Sequence, residues 1–180
     1  MSAPNPEQSA LLIVDMQVGL FNGPEKPYEG SRVLGNIKHL IQQARQKEAP
    51  IFAVRHTGPA GSVIEAGSPF WQLLPDLELD ANVDTLFDKT RPNCFLGTRL
   101  AQQLIDASIN QLFIVGMKTQ YCIESTCRAA AEQGFNPVLV ADAHTCMDTP
   151  ILSARAIIEH HNATLNGAFA KIVNTADTRF

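Results

Sequence analysis

The chain has 180 residues, 45% hydrophobic, 18% charged and 7% aromatic, with 14 Lys+Arg against 18 Asp+Glu and a net charge of -4. That suits one globular domain with enough core to fold without staples, and the scattered basic residues exclude the clustered positive face that nucleic-acid backbones require. No apolar run approaches the roughly 18 residues that span a bilayer, and four irregularly spaced cysteines (Cys94, Cys122, Cys127, Cys146) exclude a disulfide framework, so free thiols, no membrane partner and a cytoplasmic location are expected.

The opening MSAPNPEQSA lacks a basic stretch followed by an apolar one, which predicts no signal peptide and a flexible lead-in over residues 1–9. From there short apolar runs alternate with helix-period segments, the pattern of βαβ units and a mostly parallel sheet. ALLIVD at 10–15 reads as a buried strand ending in an acid. Residues 31–46 place Val33, Leu34, Ile37, Leu40, Ile41 and Ala44 on one helical stripe, with Ser31 as N-cap. PIFAVRH at 50–56 is the second strand. Residues 57–82, rich in Gly, Pro and Ser, form a long irregular excursion whose Phe70-Trp71 pair argues against disorder.

VDTLFDK at 83–89 is the third strand, and the helix after it is opened by Gly97-Thr98. QLFIVG is the fourth strand, followed by a helix from about Tyr121 to Gln133 that stops at Gly134. NPVLVADA is the fifth strand; the next helix takes Thr149 as N-cap and Pro150 at its first position; AKIVNTA is the sixth strand. With no internal repeat and no linker, residues 1–180 read as a single α/β domain.

In doubly wound sheets ligands bind beyond the carboxyl ends of the strands. Asp15, His56, Lys89 and Cys122, with Asp142 and His144, bring titratable groups from five strands to that edge. Each also has an ordinary structural reading, as cap, solvated lysine, buried thiol or loop-fixing hydrogen-bonder. Together they offer a nucleophilic site. A thiol in the first turn of a helix feels the positive end of the macrodipole, an ammonium beside it favours thiolate, and a carboxylate can take and return the proton. Cys127, inside the helix, reads as core. Zinc and dithiol redox motifs want CxxC spacing, which Cys122 and Cys127 lack, and GxGxxG and GxxxxGK[ST] are absent.

Three blocks, LLIVDMQVGLF at 11–21, FDKTRPNCFLGTRL at 87–100 and LFIVGMKTQYCIESTCRAAAEQGFNPVLVADAHT at 112–145, resemble the isochorismatase-like cysteine hydrolases in order and spacing, over about residues 10–175. The resemblance implies a Rossmann-like three-layer α/β/α sandwich on a six-stranded parallel sheet and a catalytic triad of Asp15, Lys89 and Cys122. In it Cys122 is the nucleophile, Asp15 the general base and acid, and Lys89 the cation that lowers the thiol pKa. It also implies a non-proline cis peptide at Met117-Lys118, with the backbone N–H groups of Lys118 and Cys122 as oxyanion hole. The implied reaction is cleavage of a C–N bond in a small amide or carbamoyl-type substrate through a thioester, and the implied assembly is a homo-oligomer. Nicotinamidases carry an Asp-x-His pair after strand two and a further His before the lysine; this chain has VRHTGPAG there, so no metal and no other cofactor are expected, and nicotinamide is discounted. Phe21, Phe70, Trp71 and Tyr121 read equally as pocket walls and as core packing, and His56 equally as substrate contact and as structural hydrogen-bonder. The competing class is a non-catalytic small-molecule-binding or assembly protein that keeps the fold.

Overall fold

A computed structural model describes residues 8–180. Its centre is a six-stranded sheet, parallel at every pairing, in the order β3-β2-β1-β4-β5-β6. The strands are β1 (Ser9–Val14), β2 (Ile51–His56), β3 (Thr85–Lys89), β4 (Gln111–Met117), β5 (Asn136–Thr145) and β6 (Lys171–Val173). The helices are α1 (Val18–Phe21), α2 (Gly30–Gln46), α3 (Leu100–Asp106), α4 (Glu124–Glu132) and α5 (Ala154–Leu165).

The layers follow from side-chain alternation along β1, whose residues point to opposite faces in turn. Leu11 and Ile13 pack with Val33, Ile37, Leu40, Ile41 and Ala44 of α2 on one face. Ala10, Leu12 and Val14 pack on the other with Leu100 and Leu104 of α3, Cys127 and Ala130 of α4, and Leu165 of α5. The α/β/α sandwich is therefore as the resemblance implied. Among the described residues, no helix is long and apolar enough to cross a membrane.

Several local expectations change. β1 begins at Ser9, and the Gln8 carbonyl accepts from the N–H groups of Asn110 and Gln111, so the proposed lead-in is already part of the fold at its last two positions; residues 1–7 lie outside those described. Ser31 is not a cap: α2 starts one residue earlier, behind Glu29 in the left-handed region. Thr149 and Pro150 do not start α5 either. The Thr149 hydroxyl accepts from the N–H groups of Ile151 and Leu152 in a turn of its own, and Ser153 caps α5 by accepting from Ala156. The thiol-bearing helix also starts differently, with one π-helical turn over Thr119–Ile123 before α4.

β1 and β4 are neighbours from which the chain winds outward in opposite directions, so their carboxyl ends flank the switch point where such sheets open a crevice. Gly116 is essential to that junction. It pairs with Val14 at φ +116, and a Cβ there would stand 2.1 Å from the Val14 carbonyl oxygen. No other residue tolerates both the backbone conformation and the approach.

Candidate active site

Asp15 leaves β1 with φ 51, a left-handed conformation that Asp tolerates better than most residues, and this turn puts its carboxyl into the crevice. Lys89 is the last residue of β3, and Cys122 lies in the π-helical turn after β4. All three are buried, Asp15 and Lys89 almost completely. Lys89 Nζ donates to Asp15 Oδ2 at 2.8 Å and to Cys122 Sγ at 3.2 Å, and lies 3.1 Å from His56 Nδ1. Asp15 Oδ1 is buried without a hydrogen-bond partner. A buried carboxylate oxygen left open beside a thiol is a ready acceptor for the thiol's proton. The Met117-Lys118 peptide is cis, as expected.

Charge in this cluster departs from the sequence-based expectation of a low thiol pKa. Burial pushes the Cys122 thiol up, the Asp15 charge adds to it, and Lys89 opposes without reversing it. Burial also raises the Asp15 carboxyl despite Lys89. For Lys89, burial disfavours the ammonium, but Asp15 and the thiols of Cys94 and Cys122 outweigh it and the pKa rises. One buried ammonium faces two acids, so it balances one negative charge, and a second ionisation would go uncompensated. Each acid is therefore harder to ionise than in water, and ionisation of one opposes ionisation of the other.

The carboxyl of Asp15, an imidazole nitrogen of His56 and Sγ of Cys122 lie within 4.8 Å of one another, a spacing that could hold a metal ion. The Lys89 ammonium stands against all three groups. A metal would have to displace it and abandon an ion pair, so the residues present do not fit one.

A cavity of roughly 200 Å³ opens on the cluster, lined by Asp15, Leu20, His56, Ile64, Pro92, Lys118, Tyr121 and Cys122. Larger hollows elsewhere lack such chemistry. One of about 500 Å³, lined by Gln111, Asn136 and Lys171 among others, sits at the opposite edge of the sheet, where β4, β5 and β6 begin.

Of the predicted pocket residues, His56 and Tyr121 border the cavity and three do not. Phe21 is half-buried against the α2-side core. Phe70 is 53% exposed and contributes its carbonyl, which accepts from Gly19 N. Trp71 donates from its indole to Thr57 Oγ1 and carries the Arg55 guanidinium 3.7 Å above its ring. Asp142 and His144 lie within β5 rather than at its end. Asp142 Oδ1 accepts from the N–H and hydroxyl of Thr175, and buried His144 bridges Thr119 Oγ1 and Asn162 Oδ1 behind the π-helical turn. Cys127 is core, as expected.

Leu20, Ile64 and Pro92 were not anticipated as walls, although Leu20 follows the DMQ block and Pro92 is three residues past Lys89. Gln17 was also missed. Its amide donates to the carbonyls of His56 and Trp71 and accepts from His56 N, so it ties the end of β2 to the long loop.

Accessibility separates the thiols. Cys94, Cys127 and Cys146 are each 0% exposed, and none borders the cavity. Limiting iodoacetamide is expected to label Cys122 first, read by peptide mass. Because its thiol is pushed up, the reactive thiolate fraction grows with pH, and the labelling rate should climb through pH 9 instead of levelling off near neutrality. Even labelling of the four thiols, or a flat rate between pH 6 and 9, would contradict this geometry.

Known proteins resemble this chain in sequence and fold. The family model for the isochorismatase domain matches residues 9–177. A streptothricin hydrolase of Streptomyces noursei is 32% identical over 141 residues, covering 78% of this chain and 51% of the relative, so the chain spans about half that protein's length. Nicotinamidase 3 of Arabidopsis thaliana is 27% identical over 153 residues, 78% of this chain and 74% of its own. The crystal structure of an isochorismatase family protein superposes with a TM-score of 0.87 at 30% identity, covering 94% of this chain and all (100%) of the other.

Proposed function

The chain belongs to the isochorismatase family, and from that membership we propose that it is a metal-independent cysteine hydrolase cleaving a C–N bond of a small amide or carbamoyl-type substrate. The observation that carries the reading is the buried Lys89 ammonium, in hydrogen-bond contact with both the Asp15 carboxyl and the Cys122 thiol at the floor of a cavity. Two relatives are named as a streptothricin hydrolase and a nicotinamidase, and the second name, an amidase, agrees with that bond type.

In the proposed reaction the thiol proton passes to Asp15 Oδ1 as Cys122 Sγ attacks the substrate carbonyl. The backbone N–H groups of Lys118 and Cys122 receive the developing oxyanion, in the turn that carries the nucleophile. Asp15 returns the proton to the leaving nitrogen, the C–N bond breaks, and a thioester remains on Cys122. A water then gives its proton to Asp15 and attacks the thioester; the acid leaves and the thiol is restored. Lys89 keeps its charge throughout and offsets the negative charge as it moves from carboxylate to sulfur and oxygen. The apolar walls Leu20, Ile64 and Pro92 favour a compact body that is largely apolar.

The test is a panel of small amides, carbamoyl amines and hydroxamates assayed for ammonia, amine or hydroxylamine release, with iodoacetamide-blocked protein as blank. Release by the free protein, with an acyl adduct on Cys122 in quenched samples, is the expected result. Tight binding of panel members with neither release nor adduct would favour a non-catalytic binding protein.

A further inference from the structure

We propose that His56 selects the substrate by presenting an Nε2–H donor to it, so that the preferred amide carries a hydrogen-bond acceptor on its body; the inference rests on the cysteine-hydrolase reading above. The argument begins with the Lys89 ammonium, which has donors and no acceptor. At 3.1 Å from His56 Nδ1, it requires a lone pair on that nitrogen. The single ring proton of His56 is therefore on Nε2. An imidazolium would set a second N–H against the ammonium, so the ring is neutral. Burial and the Lys89 charge both push its pKa below the ordinary histidine value, in the same direction.

Nε2 has no protein partner among the described residues, and His56 forms part of the cavity wall. The ring is also held from behind. Gln17 binds both the N–H and the carbonyl of His56, at 2.8 and 3.0 Å, so the backbone at the end of β2 cannot swing. A donor fixed in tautomer and position and left open toward a largely apolar cavity can discriminate between substrates. Leu20, Ile64 and Pro92 have no side-chain hydrogen-bonding group, Asp15 and Cys122 are occupied by the reaction, and the side chains of Lys118 and Tyr121, which also border the cavity, have no hydrogen bond among the described residues to fix them in place. The ligand class is accordingly a small amide whose body places an ether or carbonyl oxygen or a ring nitrogen opposite His56.

Aldehydes test this without requiring turnover. The Cys122 thiol adds across the aldehyde C=O, forming one S–C bond while the thiol proton goes to the carbonyl oxygen. The probes are cyclohexanecarbaldehyde and the tetrahydropyran carbaldehydes with oxygen at ring position 2, 3 or 4, which differ from it by one CH2-to-O exchange. Binding is read as protection of Cys122 from iodoacetamide. One ether isomer is expected to bind roughly 3- to 10-fold tighter than the carbocycle, the worth of one hydrogen bond. The preference should vanish in His56→Phe and partly return in His56→Gln, whose amide can donate. Because these variants also alter a contact of Lys89, the unmodified protein supplies a second readout: imidazole 15N shifts at pH 7 should show Nε2 protonated and Nδ1 bare. No preference among the four aldehydes, a preference that survives in His56→Phe, or a protonated Nδ1 would each overturn the proposal. Failure of every aldehyde to form an adduct on Cys122 would instead overturn the cysteine-hydrolase reading, and this inference with it.

Discussion

Cys122→Ala is expected to lower turnover of any amide the protein hydrolyses by a factor on the order of 10^4 or more, the scale on which nucleophile removal acts in covalent hydrolases. Without sulfur there is no covalent route, and Asp15 and Lys89 are left around a water that lacks the thiol's position and nucleophilicity. The fold should tolerate the change. Cys122 borders the cavity, so the truncation extends an existing space instead of opening a closed void, and stability is expected to shift by no more than about 1–2 kcal/mol. Initial rates and urea midpoints on the same preparations separate these effects. Retention of even one hundredth of the wild-type rate would mean that Cys122 is not the nucleophile.

Lys89→Ala should act on the fold as well as on the reaction. The ammonium is the partner of Asp15 Oδ2 in a completely buried pair, and its loss strands a carboxyl that already has one open oxygen. Removing one member of such a pair costs about 3–5 kcal/mol, because the remaining charge is left without compensation. The penalty should shrink as pH falls: the Asp15 carboxyl is already raised by burial, and protonation removes the stranded charge. Urea unfolding at pH 5 and pH 8 reads both statements. Asp15→Asn combined with Lys89→Met, which removes both charges, should cost less than the sum of the two single changes. A Lys89→Ala protein as stable as wild type at pH 8 would show that no charge had been balanced there.

Much of the site was legible from strand ends. Asp15, His56, Lys89 and Cys122 each close or follow an apolar run, and the parallel topology carries all four to one edge whatever happens between them. The cavity wall was less legible because it depends on the path of residues 57–82, an excursion held largely by contacts far along the chain. Gly19 N reaching the Phe70 carbonyl and Gln17 reaching the Trp71 carbonyl are examples. Those pairings bring Ile64 inward and leave the side chain of Phe70 outside. The start of α5 failed for a local reason: Thr149-Pro150 and Ser153 are both competent starts, and the choice falls to Asp148, whose Oδ1 accepts from Ala154 N. The upward push of burial on the Cys122 thiol was not legible, because position at a helix start says nothing about how deeply the group is buried.

The ammonium at the centre of the cluster is mounted on the margin of the sheet. β3 pairs with β2 alone, its first three residues are only half-buried, and Lys89 reaches past β2 to meet Asp15, just beyond the end of β1. Such a rim strand can open locally while the interior strands stay paired. On the proposed reading, opening of β3 takes Lys89 from Asp15 at a smaller free-energy cost than unfolding the sheet, so molecules whose interior strands are intact are expected to be inactive.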